Sequence, residues 1–249
     1  MTNGPRFAAR PIDQGGTPTS AWLARRPAFP ELDLSGCPAL TVVAPHPDDE
    51  TLGFGATAAT LRERGIPVRI VSVTDGGGAY PHSHLDRGRL ERDRRAEGER
   101  AAETLGLDPP ISLGLPDGEL TQHVSALTDA LGDLLSGDPP GSWCAATWRG
   151  DGHPDHEAVG LAAAEACADG RARLLEYPVW MWHWALPDDE AVPWHRMSAV
   201  PLESSAVARK RSAIAAFETQ LTASPSGEAA VLPPFVVDRL LAVGEVVFA

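Results

Sequence analysis

The sequence predicts one α/β domain of Rossmann-like type, a mostly parallel sheet with helices on both faces. Two observations lead there. Apolar runs of strand length alternate with stretches of helical length, without internal repeats, as in successive β-α-β units. A chain of 249 residues with 43% hydrophobic content can also bury one substantial core, a size that doubly wound folds commonly reach undivided.

The first strand is Leu40–Ala44, apolar as a strand covered on both faces should be. A helix follows over 51–64, and Gly65-Ile66-Pro67 closes it with a glycine just past its end and a proline after that. The β-branched stretch 68–74 is the second strand, running into the flexible loop Asp75-Gly76-Gly77-Gly78. A charged helix over 88–105, with Ala and Leu on its inner face, stops at Gly106. A short strand at 111–115 enters the turn Pro116-Asp117-Gly118, followed by a helix at 123–135, a strand at 143–148, a helix at 155–168 and a strand at 173–180. The pattern weakens through 187–201, and a helix at 204–221 and a strand at 245–248 close the domain. Residues 1–30, rich in Gly, Pro, Arg and Thr and lacking an apolar signal core, read as a partly flexible arm. It lies on the 31–249 domain near Trp22-Leu23.

The formal net charge of −13 argues against a nucleic-acid backbone or an anionic membrane as the main partner. It fits a small neutral or cationic ligand, and equally a plain acidic surface for solubility. Cys37, Cys144 and Cys167 form no CxxC pair, so neither a disulfide framework nor a thiolate metal site is expected. No segment approaches the ~18 consecutive apolar residues of a spanning helix. The expectation is a cytoplasmic protein acting on a small molecule, with its oligomeric state open.

The chemistry concentrates in Pro45-His46-Pro47-Asp48-Asp49-Glu50, directly after the first strand, and in His153-Pro154-Asp155-His156, after the 143–148 strand. Together they offer two imidazoles and one carboxylate for a metal, with a carboxylate and an imidazole to spare. Neutral imidazole and carboxylate suit zinc, and three protein ligands with one open position mark a catalytic site. Neighbouring side chains in a turn point apart, so one of Asp48 and Asp49 ligates and the other faces the bound water. His153 and His156 sit three apart, which puts both on one face of an opening helical turn with Pro154 at its first position. Both motifs fall at the carboxyl edge of the sheet, where such folds bind ligands.

These residues resemble the PIG-L (LmbE-like) family of zinc-dependent N-deacetylases. Arg94-x-x-Glu97 with Leu105-Gly106, and Leu115-Pro116-Asp117-Gly118, add to the resemblance, which covers about residues 40–165. It implies one Zn2+ per chain held by His46, Asp49 and His156. Asp48 would be the general base, and His153 the general acid or electrostatic partner, oriented by Asp155. Arg94 and Asp117 would contact a sugar-like substrate. The implied reaction is removal of an N-acetyl group by metal-activated water. Two departures stand out. Some members carry a tyrosine two residues before the first histidine of the second motif, where it polarises the carbonyl; here that position is Asp151. Related chains often carry a histidine at the position of Phe217, which implies a changed pocket lining.

Competing readings apply to the other residues. Arg94 and Glu97, on spacing alone, form an intrahelical ion pair, and Asp117 is a turn residue. Asp75, beside three glycines, either meets substrate or caps the next segment. His82 and His84 read as mobile surface histidines. Trp180, Trp182 and Trp184 alternate and read as a core or interface stripe ahead of a sugar-stacking wall. The rival functions are an amidase for a larger N-acyl or thiol-conjugate substrate and a metal-binding protein of the same fold without turnover. A phosphoesterase ranks last, because there is no GxxxxGKS/T loop and too few ligands for two metals.

Overall fold

The computed structural model describes residues 2–24, 29–80 and 86–249. Its sheet has seven strands, β1 (Leu40–Ala44), β2 (Val68–Thr74), β3 (Ile111–Leu115), β4 (Ser142–Thr147), β5 (Ala172–Tyr177), β6 (Met197–Ala199) and β7 (Val246–Phe248), in the spatial order β3-β2-β1-β4-β5-β7-β6. The first five in that order pair in parallel. β7 runs antiparallel to both β5 and β6. The strand β6 was not expected, because it is three residues long and its pairing comes from β7 and a bridge to Glu31, both distant in sequence.

The helices are α1 (Gly4–Ala8), α2 (Thr19–Ala24), α3 (Asp49–Glu63), α4 (Arg87–Leu105), α5 (Val124–Ser136), α6 (Pro154–Ala166), α7 (Met181–Trp184), α8 (Ser204–Ile214), α9 (Glu218–Leu221) and α10 (Pro234–Val243). Two cores follow from the strand pleat. Leu40 and Val42 of β1 pack with Phe54 and Leu61 of α3 and with Ile214 and Leu240 beyond. Val43 turns the other way, toward Leu127 and Leu131 of α5 and Val159 of α6. The parallel strands are therefore buried on both faces, except the edge strand β3, whose Ile111 is exposed. The caps are local and legible: the Asp86 carboxylate accepts from Gly88 N at 3.0 Å to open α4, and Gly106 closes it at φ +75°.

Three expectations change. The 204–221 helix breaks at residues 215–217 into α8 and α9, with Phe217 fully buried in the core. Phe217 therefore packs inward and leaves the pocket lining to others. The tryptophan alternation is no strand face, because β5 stops at Tyr177 and Met181–Trp184 is helical. All three indoles are buried. The N-terminal arm seats Trp22 in the core while Leu23 points to solvent at 51% exposure. His82 and His84 lie outside the described residues. Among the described residues no helix is long and apolar enough to cross a membrane.

The order of connections places the site. From β1 the chain steps outward to β2 and β3, then returns to β4 on the other side of β1. The crevice between the carboxyl ends of β1 and β4 is thus the switch point, and each histidine motif leaves one of these two strands.

Candidate active site and metal centre

The turn after β1 is stitched to β2: Pro45 O accepts from Thr74 N at 3.0 Å and from the Thr74 hydroxyl at 2.9 Å. The chain then enters α3 through Asp48, which sits at φ +133°. Such backbone costs about 1–3 kcal/mol and persists where surroundings enforce it. Here Asp48 N donates to the Glu50 carboxylate at 3.1 Å, and Arg94 donates to Pro47 O at 2.8 Å and to Asp48 Oδ2 at 3.1 Å. Arg94 is 3% exposed and also reaches Gly76 O at 2.9 Å. A methyl on Gly76 would lie 2.2 Å from Arg94 Nη1, so the first loop glycine makes room for this guanidinium. Glu97 makes its bonds to Thr219 N and Oγ1, at 2.8 and 2.7 Å, so the intrahelical pair with Arg94 gives way to these longer-range bonds.

His46, Asp49 and His156 bring ligand atoms within 4.8 Å of one another. Asp49 Oδ2 lies 3.1 Å from His46 Nδ1 and 3.2 Å from His156 Nε2. His156 is fully buried, yet its Nε2 finds no hydrogen-bond partner. A buried ring nitrogen without a hydrogen bond, beside a carboxylate and a second imidazole, fits a shared cation once deprotonated, and this donor set suits zinc. The other ring nitrogen, Nδ1, lies 2.8 Å from Asp151 Oδ2. Asp151 is itself fully buried and accepts Val179 N, Trp180 N and Met181 N, each at 2.9 Å. Its carboxylate thereby ties the ring of His156 to the entry of α7. A carboxylate behind a ligating histidine fixes the ring and raises its basicity.

His153 is the N-cap of α6, where Asp155 N donates to its Nδ1 at 3.3 Å. The expected orientation of His153 by Asp155 thus comes from the Asp155 backbone. The Asp155 carboxylate turns elsewhere: it accepts from Gly118 N at 2.8 Å and Leu120 N at 3.2 Å, and its Oδ2 lies 3.3 Å from His46 Nε2. Asp117 Oδ1 stands 3.1 Å from the same nitrogen, while its Oδ2 accepts from Gly78 N at 2.7 Å. Asp75 does not reach the site. Its carboxylate accepts from Ser112 Oγ at 2.7 Å and pairs with Arg95, lining a separate small cavity. The strand pleat aims it toward β3, which sequence spacing alone did not reveal.

A model of the PIG-L family, described as GlcNAc-PI de-N-acetylase, matches residues 41–167. The chain belongs to this family. It is 27% identical to a 1D-myo-inositol 2-acetamido-2-deoxy-alpha-D-glucopyranoside deacetylase of Nocardia farcinica, over 76% of this chain and 82% of that protein. It is 30% identical to the diacetylchitobiose deacetylase of Thermococcus kodakarensis, over 50% of this chain and 47% of that protein. Among solved structures, the fold resembles the N,N'-diacetylchitobiose deacetylase of Pyrococcus horikoshii with a TM-score of 0.56, at 23% identity and 74% and 73% coverage of the two chains.

In this PIG-L member the charges interlock. Burial opposes charge on His46, but the carboxylates of Asp117, Asp155 and Asp49 raise it well above the ordinary histidine range. His156 rises to about 9 against burial, through Asp49 and Asp151. Asp49, though buried, is held below the usual carboxylate range by His156 and His46. His153 goes the other way, pushed down to about 3 by burial and then by the positive His156 and His46. Asp48 rises well above the carboxylate range through burial, with Arg94 opposing and Asp49 and Glu50 adding to the rise.

One cavity of about 210 Å³ is lined on its polar side by His46, Asp48, Asp49, Arg94, Asp117 and His153. Gln220 also lines it, fully buried, with Nε2 donating to Thr219 Oγ1 at 3.0 Å and Oε1 without a partner. Sequence reading missed Gln220, although the stretch around Phe217 had drawn notice. It also missed the work of Asp151, whose only signal was its place two residues before the second motif.

Proposed function

We propose that this PIG-L member is a zinc-dependent hydrolase that removes an N-acetyl group from a compact, amino-sugar-like molecule. The observation that carries this reading is the His46, Asp49 and His156 donor trio, two of whose members line one cavity together with Asp48 and His153.

Zinc held by His46, Asp49 and His156 supplies Lewis acidity, making water acidic near neutral pH and offsetting charge on the amide oxygen. Asp48 is the base. Arg94 fixes its Oδ2, which leaves Oδ1 to take the proton of the attacking water. Burial lifts Asp48 toward the proton affinity that a base working near neutral pH needs. The proton then passes from Asp48 to the leaving amine, and acetate and a free amine result. Of the two roles open to His153, the hydrogen-bond donor is favoured. Its depressed proton affinity keeps it neutral, and Nδ1 accepts from Asp155 N, so the ring proton sits on Nε2. That N–H can serve the amide oxygen, as a neutral imidazole does in other enzymes. It would do the work for which some relatives use the tyrosine replaced here by Asp151.

The test is amine release from N-acetylated amino sugars by zinc-loaded protein. Asp48→Asn is expected to lower kcat by about 10²–10⁴ while zinc content stays at wild-type level. Near-full turnover by that variant would remove the assignment of the base.

A further inference from the structure

The cavity has a wall of large apolar side chains, of which the family region at 41–167 supplies only Leu52. The other members of this wall are Phe7, Ile12, Trp180, Val231 and Leu232. Phe7 and Ile12 belong to the N-terminal arm, more than twenty residues ahead of the family match at 41–167. The arm is fastened to the second histidine motif itself. Asn3 N donates to Glu157 Oε1 at 2.8 Å, its side-chain amide donates to Gly150 O at 2.8 Å, and the Thr2 hydroxyl donates to the other Glu157 oxygen.

Gly152, the residue before His153, sits at φ +94°, and a methyl there would lie 2.9 Å from Phe7 Cβ and 2.8 Å from Trp184 Nε1. Its bare Cα lets the arm lie flat on the motif. Further along, Thr17 N donates to His183 O at 2.9 Å, Thr17 Oγ1 to Ala185 O at 2.6 Å and Trp22 Nε1 to Trp182 O at 2.9 Å. Arg239 donates to His183 Nδ1 at 3.1 Å and also reaches Gly15 O. The arm is therefore a built part of the pocket.

We infer that Phe7 and Ile12 determine specificity, selecting an amino sugar that carries a small apolar, preferably flat aglycone on the amine side of the scissile amide. This deepens the deacetylase reading and rests on it. The Phe7 ring centroid lies 6.0 Å from the His153 imidazole and 5.2 Å from Trp180. The aromatic corner thus stands beside the group that faces the reacting amide. Asp117 lines the same cavity and can meet hydroxyls. A sugar with an aryl substituent matches both walls, whereas a bare sugar leaves the aromatic corner wet.

The experiment compares kcat/KM of the full-length, zinc-loaded protein for N-acetylglucosamine and phenyl N-acetylglucosaminide, in wild type, Phe7→Ala, Phe7→Trp and Ile12→Ala. Wild type is expected to prefer the phenyl glycoside by about tenfold or more. Phe7→Ala abolishes that preference by lowering kcat/KM for the phenyl glycoside more than for the bare sugar, and Phe7→Trp retains it. An equal loss on both substrates in a folded Phe7→Ala protein would make Phe7 a structural or sugar-stacking residue and overturn the inference. No preference in wild type overturns it as well. Calorimetric binding of phenyl glucosaminide against glucosamine needs no turnover. Tighter, Phe7-dependent binding of the phenyl compound without hydrolysis would sink the deacetylase reading and keep the wall; equal binding of both amines sinks the wall.

Discussion

Asp151 differs from Asp75 in what its carboxylate touches, and sequence did not rank them correctly. Asp75, beside three glycines at a strand end, looked like a ligand contact and instead joins Arg95 and Ser112 away from the cavity. Asp151 looked like the loss of a useful tyrosine and instead receives three backbone N–H groups and faces His156 Nδ1 at 2.8 Å. Asp151→Asn keeps the shape but turns an amide NH₂ toward at least one of those donors. Such losses behind a metal ligand lower metal affinity by about 10–100-fold. A chelator-competition titration reads this directly, and an unchanged zinc affinity would contradict the role. The proposed metal trio and the proposed base could be named as candidates because they sit in two compact motifs. The partners behind them were not, because a side chain's direction depends on neighbours brought from elsewhere in the chain.

At the scale of elements, α3 shows how packing overrides propensity. Gly53 is a poor helix residue, and replacing it with Ala gains about 1 kcal/mol in an isolated helix. In the fold, the new Cβ would lie 2.1 Å from Tyr177 Cδ2. Tyr177 is fully buried and donates its hydroxyl to Val43 O at 2.8 Å, so it cannot swing aside. Overpacking of this kind costs about 1–3 kcal/mol, so Gly53→Ala is expected to lower stability in a urea melt despite the better propensity. The tryptophan stripe carries the same lesson. The stripe is core, as its alternation implies, but in a helical turn neighbours two apart point in different directions, so the indoles share no single face. Trp182 accordingly meets Trp22 edge-on at 5.0 Å, while Trp180 meets Phe7 on the arm.

For the whole molecule, the metal trio spans the switch point, joining the turn after β1 to the helix after β4 across the two parallel strands. An ion that binds only the folded protein stabilises it by mass action, about 2.7 kcal/mol at one hundred times its Kd. Zinc addition is therefore expected to raise Tm and a chelator to lower it, as read by calorimetry. His46 and His156 both have raised proton affinity, so binding releases protons and zinc affinity climbs with pH. In the metal-free protein the sign reverses. The raised His156 contributes stability fully below its ordinary 6.5, and that contribution disappears as pH rises through about 9. A flat Tm against both zinc and chelator would separate the trio from metal binding.

The sequence by itself determined the α/β alternation, the parallel strands β1 to β5 and the two histidine motifs at their carboxyl edge. Those features are local: an apolar run, a capping residue and a turn motif are each written within a dozen residues. Tertiary structure decided what required distant segments to meet. The β6–β7 pairing, Arg94 reaching Asp48, Asp155 turning to His46, and the arm's Phe7 against His153 all depend on it. Of these, the contacts made by Arg94, Asp155 and Phe7 each join segments more than forty residues apart, and the directions of those side chains are set by packing and charge that no local pattern records.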